Sequence, residues 1–188
     1  LFEEILAKLA RALDKNNIPY MIIGGQAVLL YGEPRLTRDI DVTLGVNIDI
    51  LPKIIEITKC LNLKPLPLDI TEFVRQTMVL PTRDESSGIR VDFIFSFTPY
   101  ERQAIEKTKE VLLKKTPVRF AAPEDVIIHK VFAGRARDLD DVKSILVKNP
   151  SVDLAYIEKW LAEFDKGSPE AGLLRKFKDI LDTISKSK

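Results

Sequence analysis

The stretch Asp39-Ile40-Asp41-Val42, preceded by Ile22-Ile23-Gly24-Gly25, restricts this chain more than any other part of it. Acid alternating with branched apolar residue has the period of a strand, because successive strand side chains point to opposite faces. Asp39 and Asp41 therefore share one face, about 7 Å apart along the backbone, while Ile40 and Val42 point into a core. Two carboxylates held side by side repel each other, and a cation between them relieves the cost. Hard oxygen ligands of this kind suit Mg²⁺, which keeps several waters and also binds phosphates. The diglycine closes an apolar run and opens a helix. Without side chains it lets a phosphate approach the backbone, and the helix start offers free N–H groups.

Length and composition set the frame. The chain has 188 residues, 45% hydrophobic and 30% charged, enough for one domain with a real core or a core plus a helical appendage. The net charge of +1, from 29 Lys and Arg against 28 Asp and Glu, does not announce a nucleic-acid binder. A basic edge from Lys107, Lys109, Lys114, Lys115 and Arg119 is diluted by Glu101, Glu106 and Glu110, and reads as a solvated face. The lone Cys60 excludes an intramolecular disulfide and cysteine-rich zinc sites, and its apolar neighbours predict a buried thiol. No apolar run approaches the ~20 residues of a membrane span, and no signal-peptide pattern opens the sequence. The expectation is a cytoplasmic protein.

Residues 1–16 carry a helical stripe, 20–23 a strand and 24–32 a second helix. The aspartate strand follows and ends around Gly45. Residues 50–61 read as helix and 77–80 as strand. Asp84-Glu85-Ser86-Ser87-Gly88 is a turn, and residues 89–95 alternate as a strand. Residues 111–120 supply one more extended piece, broken at Pro117. From Pro123 the pattern is helical: one helix to Gly134, one from Asp138 and two more beyond. This predicts an α/β (α+β) core over residues 1–120, with a mixed sheet flanked by helices. A helical segment over 121–188 is expected to pack on that core.

Asp92 is the third acid. It lies in the 89–95 strand on the face opposite Val91, Phe93 and Phe95, where a carboxylate is costly unless it meets a cation or donors. Beside Asp39 and Asp41 it would complete a site for two metals about 4 Å apart. With Gly24-Gly25, Asp39-Ile40-Asp41-Val42 and Asp92, the chain resembles the polymerase-β-like nucleotidyltransferase superfamily. Two further stretches narrow the likeness. Pro123-Glu124-Asp125-Val126-Ile127-Ile128-His129-Lys130 and Arg135-Ala136-Arg137-Asp138-Leu139-Asp140-Asp141-Val142 resemble the bacterial AbiEii/MenT group of minimal nucleotidyltransferases, some of them toxins of toxin–antitoxin pairs. The resemblance spans about residues 18–145.

It implies transfer of a nucleoside monophosphate from an NTP to an acceptor hydroxyl, with release of pyrophosphate. Asp39, Asp41 and Asp92 would hold Mg²⁺ or Mn²⁺, with Asp92 helping to deprotonate the acceptor. Gly24, Gly25, Arg38, Lys130 and Arg135 would bind the nucleotide, and Asp138 would be a downstream catalytic acid. The acceptor stays open between an RNA end, a protein hydroxyl and a small molecule, and an antitoxin partner is implied. Gly25 stands where many active members have serine, so an inactive nucleotide-binding or protein-interaction module is the alternative.

Each residue has a structural reading as well. Asp39 and Asp41 could pair with Arg35 and Arg38 at a solvated strand end, and Asp92 could join an ion pair across the sheet. Lys130 could snorkel to solvent, and Asp138 could cap its helix. Arg135 and Arg137 could be solvated loop residues. His129 and Trp160 read better as packing residues.

Overall fold

The computed structural model describes residues 1–186. α1 (Phe2–Lys15) forms because Ile5, Leu6, Leu9 and Leu13 fall on one face, which is buried. β1 (Tyr20–Ile23) is buried along its whole length, and α2 (Gly24–Tyr31) starts on the diglycine with no intervening loop. The aspartate stretch is β2 (Asp39–Leu44), buried through Ile40, Val42 and Leu44. Then come α3 (Leu51–Cys60), β3 (Leu63–Pro65), α4 (Ile70–Thr77), β4 (Val79–Asp84), β5 (Arg90–Phe95), α5 (Pro99–Glu106), β6 (Lys109–Leu113) and β7 (Thr116–Phe120). The helical stretch follows as α6 (Pro123–Ala133), α7 (Ala136–Lys148), α8 (Leu154–Gly167) and α9 (Leu173–Lys186). No helix among the described residues is long and apolar enough to cross a membrane.

The described strands form one seven-stranded sheet in the order β3-β4-β5-β2-β1-β7-β6. It is mixed: β2 runs parallel to β5 and antiparallel to β1, while β1 runs parallel to β7. The α/β class expected from the sequence is the one the chain adopts.

Two compact units result. The first, Leu1–Gln26 with Leu36–Ala121, contains the sheet. The second joins Ala27–Arg35 to the chain from Ala122 onward. Within the second unit, α6 packs against α7, α8 and α9. The end of α2 and the residues after it are held by α7. Asn149 Nδ2 donates to the Tyr31 carbonyl at 2.8 Å, and the Glu33 N–H donates to Ser144 Oγ at 3.2 Å. Gly32 is needed there, because a Cβ would stand 2.6 Å from Ser144 Oγ. Asp125, in the first turn of α6, is fully buried, and Tyr156 donates its hydroxyl to it at 2.9 Å.

Several short elements escape the sequence pattern. β3, α4 and α5 are too brief to show a period, although Asp69 caps α4 by accepting the Glu72 N–H at 3.0 Å. The strand expected at 77–80 starts at Val79, because Met78 ends α4 in the left-handed conformation. Cys60 is exposed rather than buried. At 3.6 residues per turn it falls well away from the stripe of Leu51, Ile54, Ile57 and Thr58 that α3 buries. α7 starts two residues before Asp138, so Asp138 sits in the first turn and does not cap the helix.

The turn at Asp84 is as expected. The Asp84 carboxylate accepts from Ser86 Oγ and the Ser87 N–H, and Gly88 takes φ +74°. Residues 111–120 are different. They are not one broken strand but part of a hairpin, with Val111 opposite Val118 and Leu113 opposite Thr116. Pro117 is tolerated because β7 meets β1 only near Phe120, so at residue 117 it has a single neighbour. The two turn residues, Lys114 and Lys115, both take positive φ, 49° and 62°. That geometry belongs to a type I′ turn, which favours Asn-Gly.

Replacing Lys114-Lys115 by Asn-Gly should therefore stabilise the protein by about 1 kcal/mol, since left-handed backbone is costly for a side chain such as lysine. The expected readout is a melting temperature higher by roughly 3 °C. An unchanged or lower value would refute a strained turn.

Candidate active site

Strand pairing decides where the acids stand. In the parallel β2–β5 ladder Asp41 is directly opposite Asp92, and Asp39 is opposite Arg90. Paired residues on neighbouring strands share a face, so all four side chains project from the same side of the sheet. Asp39 is exposed, while Asp41 and Asp92 are half-buried. The three acids singled out in the sequence are thus brought to one face by two adjacent strands.

Each of the three is engaged locally. Arg90 Nε donates to Asp92 Oδ1 at 2.7 Å. Thr37 Oγ1 approaches Asp39 Oδ1 at 3.3 Å and the Asp39 carbonyl at 3.4 Å, and Gln26 Nε2 reaches the same carbonyl at 3.4 Å. Asp41 lies against Gly24: a Cβ on that glycine would stand 2.0 Å from Asp41 Oδ2 and 2.9 Å from its Cγ. Gly24 also takes φ +65°. The first glycine is therefore required twice, by its backbone conformation and by the carboxylate that fills the side-chain space. Gly25 is buried at the start of α2, and Arg38 is exposed just before β2.

Arg90 belongs to this cluster, although it was not singled out in the sequence. Its hydrogen bond to Asp92 pushes the guanidinium pKa upward against the effect of burial, and the charges of Asp92, Asp39 and Asp41 add to the rise. The alternation that placed Asp92 on the acid face placed Arg90 there too, two residues earlier. That signal was available.

The donor set suits a hard divalent ion: carboxylate oxygens on one face of two paired strands. The carboxylates are not drawn together as a cage, however. Among the described residues no group of three or more His, Cys, Asp or Glu side chains stands close enough to hold a metal. The residue types and the strand register fit the ion.

The second unit brings together the other candidates. Lys130 on α6 is buried, with Nζ 2.7 Å from Asp138 Oδ1 and 3.1 Å from Asp141 Oδ2 on α7. Arg135 Nε donates to Asp138 Oδ2 at 2.6 Å. Arg35 clasps Asp141 with two bonds of 2.9 Å, from Nε to Oδ1 and from Nη2 to Oδ2. The chain Arg135–Asp138–Lys130–Asp141–Arg35 thus holds three cations against two carboxylates. Burial pushes the Asp138 pKa up, but hydrogen bonds from Arg135 and Lys130, with their charges, hold it below the usual carboxylate range.

Lys130 accordingly does not snorkel to solvent, and Arg35 pairs with Asp141 and not with Asp39 or Asp41. Asp141, three residues after Asp138, is a second carboxylate that the resemblance did not assign. Its spacing of three on one helix face was the clue. Arg137 is exposed, while His129 and Trp160 are half-buried, Trp160 lying 6.1 Å from the Phe164 ring centre.

Comparison with curated proteins gave no significant match. Solved structures do resemble the chain. An antigenic nucleotidyltransferase-like protein from Paracoccidioides brasiliensis aligns at TM-score 0.56 and 16% identity, covering 93% of this chain and 92% of that one. The antibiotic-resistance factor ANT(2'')-Ia aligns at 0.59 and 18%, covering 89% and 93%. The lincosamide antibiotic adenylyltransferase LnuA, bound to lincomycin, aligns at 0.52 and 16%, covering 76% and 94%. At these identities the likeness is one of fold. The family model described as nucleotidyl transferase AbiEii toxin, type IV TA system, matches residues 4–183. The match runs over nearly the whole chain, through the acid strands and the Lys130–Asp138 helices alike, and the chain belongs to the AbiEii nucleotidyltransferase family.

Proposed function

We propose that this protein transfers a nucleoside monophosphate from an NTP to an acceptor hydroxyl in a reaction that depends on a divalent metal. The single observation that carries the reading is the register of β2 on β5, with Asp41 opposite Asp92 and Asp39 one pleat away on the same face. The acceptor oxygen attacks the α-phosphorus, the bond from that phosphorus to the bridging oxygen breaks, and pyrophosphate leaves. Asp39, Asp41 and Asp92 hold the ion, and Asp92 takes the acceptor's proton. Bound Mg²⁺ or Mn²⁺ supplies charge neutralisation at the phosphates and lowers the pKa of the attacking group.

Other residues orient the nucleotide. The free N–H groups at the Gly24-Gly25 helix start face phosphate, and Arg38 adds a cation at the head of β2. Lys130 and Arg135 enter through their ion network, whose excess positive charge favours a polyphosphate. Asp138 holds Lys130 in place through the 2.7 Å ion pair. The family description supports a toxin role with an antitoxin partner, and the acceptor we propose is an RNA end, a protein hydroxyl or a small molecule. A second reading, a nucleotide-binding module without turnover, draws support from Gly25: a buried glycine there offers no hydroxyl to a phosphate.

Asp41→Asn should lower NMP transfer at least 100-fold, order-of-magnitude, with circular dichroism unchanged, and a chelator should abolish wild-type transfer. Release of labelled pyrophosphate, with total RNA and cell protein offered as acceptors, is the measurement. Transfer at the wild-type rate by the variant would refute the assignment. Binding of NTP without pyrophosphate release would favour the module.

The ion network generates its own tests. Lys130→Met leaves Asp138 and Asp141 buried with less compensation, and should cost about 3 kcal/mol, read as a melting temperature lower by roughly 10 °C. Because the Asp138 pKa is depressed on folding, its contribution is complete above the ordinary carboxylate pKa and is lost as pH falls through the lowered value. The stability gap between wild type and Asp138→Asn should thus be full at neutral pH and shrink below about pH 4. A gap that grows on acidification would contradict the network.

A further inference from the structure

We propose that Arg90 is the resting counter-ion of the three-acid cluster, displaced when a divalent ion binds, and that it thereby sets how tightly the ion is held. The inference rests on the nucleotidyl-transfer reading above and concerns the same face of the sheet.

Position comes first. Arg90 and Asp92 lie two apart on β5, so they share a face, and the ladder sets Arg90 opposite Asp39. Arg90 Nε is 2.7 Å from Asp92 Oδ1, one of the two oxygens that Asp92 can offer an ion. A guanidinium and a metal ion cannot take the same lone pair. The side chains differ in freedom as well: Arg90 is 49% exposed and Asp92 only 14%. The arginine can swing into water while the carboxylate stays.

Charge points the same way. Three carboxylates alone carry −3 on one small patch, and one guanidinium reduces this to −2, a charge that a single divalent ion balances. With Arg90 present the cluster is stable without metal, and an incoming ion must compete with it. Without Arg90 the like charges are unrelieved and the ion meets no competitor.

The tests are calorimetric titration of Mn²⁺ and Mg²⁺ into the wild type, Arg90→Gln, Arg90→Lys and Asp41→Asn, with circular dichroism to verify folding. Arg90→Gln should bind the ion about tenfold more tightly than wild type, since an opposite charge at hydrogen-bond distance shifts such an equilibrium by an order of magnitude or more. Arg90→Lys, which keeps the charge, should stay within about threefold of wild type. A second measurement uses the wild type alone. Modification of Arg90 by phenylglyoxal, mapped by mass spectrometry, should rise when Mg²⁺ is added, while that of Arg75, paired with Glu72 at the surface, should not change.

Equal or weaker ion binding by Arg90→Gln, or protection of Arg90 by the metal, would overturn the proposal while leaving the nucleotidyl-transfer reading intact. If Arg90→Gln does not fold, Arg90→Lys and the wild-type modification decide the matter. Failure of the wild type and both Arg90 variants to bind any ion would overturn the metal-dependent reading itself.

Discussion

The Asp41 carboxylate fills the space that a side chain on Gly24 would occupy. The rest of the acid face depends on it. β1 pairs with β2 so that Ile23 is opposite Asp41, and the chain then turns at once into α2 through a glycine with φ +65°. Any side chain at that glycine would collide with the carboxylate, and any non-glycine residue would resist the backbone angle. Asp41 is thereby set beside the start of α2, and β5 brings Asp92 to its other flank. Strand pairing, helix entry and acid placement form one linked geometry, which explains why β1 and α2 have no loop between them.

The molecule meets the cost of crowded carboxylates in two ways. On the sheet, the acids keep partial contact with water, and a half-exposed arginine supplies the compensating charge. In the second unit, Asp138 and Asp141 are almost wholly removed from solvent and share a buried lysine, each also held by an arginine. Buried pairs of this kind stabilise little relative to apolar packing, yet losing one partner is expensive. Their value lies in definition: α6, α7 and the residue before Leu36 are held in one arrangement by bonds with fixed geometry.

Much of this could be read from the residues. The period-two alternation in residues 39–44 and 90–95 located both acid strands, and the diglycine located the helix that precedes them. Pro123 and Gly134 bounded α6 correctly. What failed were features set by neighbours and not by local pattern. The hairpin at Lys114-Lys115 carries no turn residue, so nothing in the sequence marked it. Cys60 sits among apolar residues, but the helix rotates it away from its buried stripe. The alternation put Arg90 on the face of Asp92, but its place opposite Asp39 is set by the β2–β5 register. The pairing of Lys130 with Asp138 and Asp141 required two helices to meet, and no single-segment period contains that information.

The second unit is discontinuous in the chain: nine residues near the beginning, Ala27–Arg35, belong with helices that start beyond residue 121. Arg35 finds Asp141 only after the chain has grown by a further 106 residues. During synthesis the sheet can assemble first, while this early segment waits without its partners. Contacts of such separation slow folding and lengthen the exposure of unsatisfied surface. Leu29 and Leu30, still partly exposed in the finished protein, belong to that waiting segment. The early segment thus reaches its final partners only once α7 has been made, a cost in folding time that comes with a unit built from both ends of the chain.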